Sequence, residues 1–220
     1  MKYRSVFDII GPIMLGPSSS HTAGAARIGI LARKLFLKEP KRIKVHFYGS
    51  FAQTYEGHAT DIAVVGGVLN LDVADPALPD SLRLAAARGI DVEIIPEEAI
   101  PEHPNTVRIE LYRDEDWLSV TGISIGGGQV QITDYSGFPL KLSGENPTML
   151  ILHKDAYGAV AKVTQCLMNE CINIGHMEVS RLMKGDLALM VIETDEAPTS
   201  ETVARIQEQS HIQKVVVLEP

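Results

Sequence analysis

Cysteine is nearly missing from this chain: its 220 residues hold two, Cys166 and Cys171. Two thiols cannot make the framework that staples small secreted domains, so a disulfide scaffold is excluded and a reducing compartment is expected. Both lie on a segment that reads as helix, point to different sides of it, and offer at most two ligands to a metal, so they are read as core packing. No apolar run approaches the length that crosses a bilayer, and residues 1–7 lack the apolar stretch of a secretory leader; both point to the cytoplasm. Positive charge is short as well, with 20 Lys and Arg against 28 Asp and Glu and a formal net charge of -8. A broad nucleic-acid surface is thereby excluded, and any anion site must rest on individual residues. There is no Gly-Lys-Thr phosphate loop, and the glycine triplet Gly126, Gly127 and Gly128 lacks the strand-to-helix setting of a nucleotide site.

What is there is an ordinary globular composition, 45% hydrophobic, enough for a core in one large or two small domains. The polar break Ser143-Gly144-Glu145-Asn146-Pro147 divides a block over 1–144 from one over 145–220. In the first, Ile28, Leu31 and Leu35 recur at helical spacing. Ile43, Val45 and Phe47 then alternate with Lys44 and His46 as in a half-buried strand that closes at Tyr48-Gly49-Ser50, with His46 read as solvated. Residues 60–69 read as a short helix whose Gly66 and Gly67 each cost about 1 kcal/mol relative to Ala, unless a close neighbour needs the missing side chain. Residues 80–88, opened by Asp80 and followed by Gly89, read as a capped helix leading to a strand over 92–95. Beyond a proline-marked loop, 106–112, 117–123 and 129–133 read as antiparallel strands. The block is α+β.

The second block reads as a strand over 149–152, a helix with Val160, Val163, Leu167 and Cys171 on one side, and strands over 174–183 and 187–194 around Lys184-Gly185-Asp186. A helix over 198–209 and a buried strand over 215–218 close it. The order βαββαβ is the ferredoxin-like plan.

The chemistry concentrates in Gly16-Pro17-Ser18-Ser19-Ser20-His21-Thr22-Ala23-Gly24, with four hydroxyls and an imidazole in five consecutive residues ahead of a helix-like run. Unpaired N–H groups at a helix start, with the positive end of its dipole, suit a phosphate or carboxylate. An N-cap explains any one of these hydroxyls, but four with a histidine exceed what a cap needs. His21 and His58 each follow a small-residue turn, and an imidazole titrating near about 6.5 suits proton transfer. With Ser18, Ser19, Ser20, Thr22, Thr60 and Asp61 they form a set expected to line one cleft. Ser124-Ile125-Gly126-Gly127-Gly128 reads equally as a loop whose amides approach an anion and as a hairpin turn.

Read with Gly57-His58-Ala59-Thr60-Asp61 and the segment from Ser124 to Gly128, the Ser-rich stretch resembles the beta subunit of bacterial iron-sulfur L-serine dehydratase, over essentially the whole chain. The resemblance implies an N-terminal domain similar to the allosteric substrate-binding domain of some phosphoglycerate dehydrogenases, followed by an ACT domain. It implies an alpha subunit that ligates a 4Fe-4S cluster, no metal ligand on this chain, and L-serine deaminated to pyruvate and ammonia. Catalytic roles then fall to His21 and His58, and substrate binding to Ser18, Ser19, Ser20, Thr22, Thr60 and Asp61. Ser124, Gly126, Gly127 and Gly128 would lie beside the partner's cluster, and Gly158, Asn173 and Gly175 where ACT domains admit an amino acid such as serine. Self-association through the ACT domains is expected. Two other classes stay open: an amino-acid-binding regulatory protein with no catalysis of its own, and a phosphate-binding enzyme domain indifferent to iron.

Overall fold

The computed structural model describes Met14 and residues 16–220; the expectation for residues 1–7 lies outside the described residues. Contacts group the chain into two compact units, 1–136 and 137–220. The division falls ahead of the polar break, because a strand absent from the sequence reading, β6 (Phe138–Leu142), belongs with the second unit.

Among the described residues, the first element of the first unit is a π-helical turn over Ser19–Gly24 that runs into α1 (Ala25–Phe36). Ile28, Leu31 and Leu35 face the core as their spacing requires, and α1 stops where Leu37 turns left-handed at φ 65°. Then come β1 (Arg42–Tyr48), α2 (Gly49–Thr54), α3 (Thr60–Val68), α4 (Ser81–Ala87), β2 (Asp91–Pro96), β3 (Asn105–Arg113), β4 (Asp116–Gly126) and β5 (Gln129–Tyr135). The sheet runs in the order β2-β1-β3-β4-β5, with β1 parallel to β2 and the other pairs antiparallel. Phe47 pairs with Val107 and Val107 with Gly122, and a Cβ at Gly122 would press on Ile28; this places the three on the sheet face that α1 covers.

Gly67 has the neighbour that its propensity cost called for. A Cβ there would fall on the backbone carbonyl of Ala26, and one at Gly29 on that of Val64, so α1 and α3 cross backbone to backbone. Two expectations are corrected. His46 is not solvated: it is 8% exposed, its Nδ1 lies 2.7 Å from Glu97 Oε1 and 3.2 Å from Arg108 Nη2, and Glu110 flanks its Nε2 at 3.7 Å. Its strand face is covered by charged neighbours from β3 and the end of β2, which alternation in one strand does not reveal. Asp80 does not cap α4; its carboxylate pairs with Arg83 at 2.9 Å instead.

In the second unit β7 (Thr148–Lys154), α5 (Ala159–Asn169), β8 (Ile174–Arg181), β9 (Leu187–Thr194), α6 (Ser200–Gln207) and β10 (Ile212–Leu218) follow in that order. Their antiparallel sheet runs β10-β7-β9-β8. Met149, Ile151, Met190 and Ile192 from the central strands meet Val163 and Leu167 of α5 and Ile206 of α6 in one core. β10 is therefore an edge strand with Val216 and Leu218 buried, rather than a buried strand throughout. Cys166 packs partly against this core, but Cys171 lies beyond the end of α5 at φ 57° and is exposed, so it is not core packing. The helix stops before its next turn could bring that position inward.

Thr199 caps α6, its Oγ1 accepting the N–H of Thr202 at 3.2 Å. Thr199→Ala is expected to cost about 1 kcal/mol, read as a lower denaturant midpoint of the second unit. An unchanged midpoint would mean that the cap is not used in solution.

Candidate active site

The Ser-rich stretch is helical itself rather than a turn ahead of a helix. The Ser18 carbonyl accepts from Thr22 N at 2.9 Å and from Ala23 N, five residues on, at 3.4 Å. Such a π turn inserts one residue into the helical register, a feature often found where a helix serves a site. Ser18 is its N-cap, with Oγ accepting the His21 N–H at 3.1 Å. That leaves the Ser18 hydroxyl proton for Ser20 Oγ at 3.3 Å or His21 Nδ1 at 3.4 Å, while Ser20 Oγ stands 3.0 Å from the same Nδ1.

His21 and His58 come together, with ring centroids 4.8 Å apart and planes tilted by 36°. Phe51 closes on His21 edge-on at 5.1 Å, and Phe47 backs both Phe51 and Tyr55. His58 is aimed by its own backbone: its N–H donates to the Thr54 carbonyl at 3.1 Å, and its carbonyl accepts from Thr22 Oγ1 at 3.2 Å. The next residue, Ala59, is left-handed at φ 53°, a conformation that costs a residue with a Cβ roughly 1–2 kcal/mol. This strain sits at the turn that presents the imidazole, where such strain tends to collect.

The ring nitrogens differ in kind. His58 Nδ1 faces the Thr54 carbonyl at 3.3 Å, which can only accept, so Nδ1 carries the proton and Nε2 holds the lone pair. His21 has hydroxyls at both ends. Burial first, and the neighbouring His58 second, hold its pKa below the ordinary imidazole value, so it stays neutral where a free histidine starts to protonate. Burial pushes the Asp61 carboxyl up, and its Oδ1 is buried without a hydrogen-bond partner. An open cavity of about 470 Å³ reaches His58 along Thr54, Tyr55 and Glu56.

Ser18, Ser20, His21 and His58 are thus part-exposed and in mutual contact; Ser19 and Asp61 are part-exposed as well, whereas Thr22 and Thr60 are buried. Thr22 spends its hydroxyl on the His58 carbonyl, and Thr60 Oγ1 has no partner. Ser124 is fully buried and abuts the π turn at Gly24; Gly126, Gly127 and Gly128, all at positive φ, lead β4 into β5 as a hairpin, with Arg27 donating to the Gly128 carbonyl at 3.0 Å. Gly158 precedes α5 while Asn173 and Gly175 follow it, so within one chain they lie at opposite ends of that helix. Asn173 donates to Asp195 at 2.7 Å.

The sequence reading missed Ser50, whose Oγ lies 3.1 Å from His21 Nε2. No local motif marks it, since it is 29 positions away along the chain and ends what reads as a strand. Among the described residues no group of three or more His, Cys, Asp or Glu gathers as a metal site, and both cysteines lie in the second unit. The donor set of this chain does not fit an iron–sulfur cluster, which takes several thiolates. Nor is any helix among the described residues long and apolar enough to cross a membrane.

Residues 5–134 match the family described as serine dehydratase beta chain. The chain is 56% identical over 196 residues to the probable L-serine dehydratase beta chain of Bacillus subtilis, covering 89% of each. It is 32% identical over 197 residues to the L-serine dehydratase beta chain of Peptoniphilus asaccharolyticus, again with 89% of each covered. It is also 33% identical over 157 residues to the L-serine dehydratase TdcG of Escherichia coli, spanning 60% of this chain and 34% of that longer protein. A family match that contains the whole hydroxyl-imidazole cluster, with relatives aligned over nearly their full length, shows that this chain belongs to the serine dehydratase beta chain family.

Proposed function

We propose that this chain is the beta component of an L-serine ammonia-lyase, working with an alpha subunit that carries a 4Fe-4S cluster and deaminating L-serine to pyruvate and ammonia. The observation that carries the reading is the pair of imidazoles 4.8 Å apart beside three consecutive serines, within the segment shared with the family. The steps that fall to this chain are binding and proton handling. The Ser18, Ser19 and Ser20 hydroxyls hold the substrate carboxylate, as short donors at a helix start suit an anion. Asp61, half-buried with one oxygen unpartnered, faces the charged end of a small amino acid. His58 Nε2 is the better placed of the two imidazoles for proton transfer, because its lone pair is free while both nitrogens of His21 are engaged. The hairpin at Gly126, Gly127 and Gly128 is the part turned to the partner's cluster.

The first unit is read as the allosteric-substrate-binding-like domain. The strand order β10-β7-β9-β8 and the βαββαβ succession support reading the second as a ferredoxin-like ACT domain. An amino acid at Gly158 would then need Asn173 and Gly175 of another copy, which favours self-association through these domains, in a cytoplasmic enzyme.

The purified chain is expected to be colourless and inactive on serine, and to gain dehydratase activity when combined anaerobically with the cluster-bearing partner. Turnover of serine by the chain alone in metal-free buffer would overturn the reading.

A further inference from the structure

We propose that Ser50 is a positioning residue of this centre, its hydroxyl closing the chain Ser50–His21–Ser20–Ser18 that holds the His21 ring against His58. The inference rests on the functional reading above for its kinetic consequence, and on geometry alone for the bond itself.

The backbone of Ser50 is committed to the fold, its N–H donating to the Pro104 carbonyl at 2.7 Å and its carbonyl accepting from Thr54 Oγ1 at 2.8 Å. The side chain is not. The helix that it enters, α2, is capped by no side chain, and the contact recorded for Ser50 Oγ is His21 Nε2 at 3.1 Å. A serine whose hydroxyl the local structure does not use, brought across 29 positions of chain onto a half-buried imidazole, serves that imidazole.

The chemistry of the partners gives the bond its meaning. A carbonyl or a carboxylate would lock one tautomer, as the Thr54 carbonyl does for His58. A hydroxyl donates or accepts, and His21 has one at each end, Ser50 on Nε2 and Ser20 with Ser18 on Nδ1. His21 can therefore exchange its proton between nitrogens without turning, and the ring keeps its place between Phe51 and His58. Without the Ser50 hydroxyl, a proton on Nε2 would be an unpaired donor in a half-buried setting, so the proton moves to Nδ1 and the ring loses its outer tether.

Two measurements test this on Ser50→Ala and Ser50→Thr. In the full chain alone, ring-nitrogen NMR shifts, assigned through His21→Asn, should move in Ser50→Ala toward one tautomer protonated at Nδ1, and return in Ser50→Thr. In the complex with the partner, Ser50→Ala should lower kcat about tenfold, the rate equivalent of one hydrogen bond, with KM changed less than about twofold. Ser50→Thr should recover most of that loss. His21 shifts in Ser50→Ala like those of the parent chain would overturn the proposal, as would a Ser50→Thr complex as slow as Ser50→Ala with equally altered shifts, since packing and not the hydroxyl would then matter. Should the parent complex fail to dehydrate serine, the functional reading falls, while the NMR arm still decides the bond.

Discussion

His58→Asn is expected to lower turnover of the assembled enzyme by about 10²–10⁴-fold, the range lost when a positioned acid–base group is removed. Stability should change far less. The backbone of His58 carries its structural duties, to the Thr54 carbonyl and from Thr22 Oγ1, and both survive the substitution. What the fold loses is the 3.3 Å contact from Nδ1 to the Thr54 carbonyl, worth about 1 kcal/mol. Steady-state kinetics on the complex, paired with denaturant unfolding of the variant chain, separate the two effects. A variant with parental kcat would return His58 to a structural role. His21→Asn should also slow turnover, but it removes the contacts of the ring with the Ser18, Ser20 and Ser50 hydroxyls and so costs more stability.

Gly67→Val is expected to destabilise the first unit by about 3 kcal/mol or more, and Gly67→Ala to destabilise it too. Helix propensity alone predicts the opposite sign for alanine, a gain of about 1 kcal/mol. The crossing with α1 decides between them, because the added Cβ would land on the carbonyl of Ala26 and crowd the N–H of Ile30. Both are backbone atoms inside a helix and cannot swing aside as a side-chain tip would. Gly29 makes the reciprocal approach to Val64. Chemical denaturation of the two variants reads the result, and a Gly67→Ala chain more stable than its parent would show that the helices stand further apart than described. Because α1 continues from the turn bearing His21, and α3 begins just after His58, a forced separation of these helices also pulls at the imidazole pair.

The elements that were legible are those whose signal is local. Ile28, Leu31 and Leu35 foretell α1, and the alternation of Ile43, Val45 and Phe47 foretells β1. The elements that escaped are short or carry a mixed signal. α2, Gly49–Thr54, is six residues long and follows β1 directly, and β6 is five residues long with a proline inside it. At the site, clustering in sequence marked Ser18 to Thr22, and the small-residue turn marked His58. Ser50 and the charged surroundings of His46 had no such mark.

Periodicity and turn chemistry were enough to assign most of the helices and strands and to mark a stretch rich in hydroxyls and imidazole, because each depends on residues within a few positions of one another. That Ser50 meets His21 Nε2, that Thr22 holds the His58 carbonyl, and that Gly67 must stay bare depend on segments about 30 to 40 positions apart meeting within a few ångströms. Those distances are set by how α1, α3 and the end of β1 pack together, and packing is a property of the folded chain, not of any window along it.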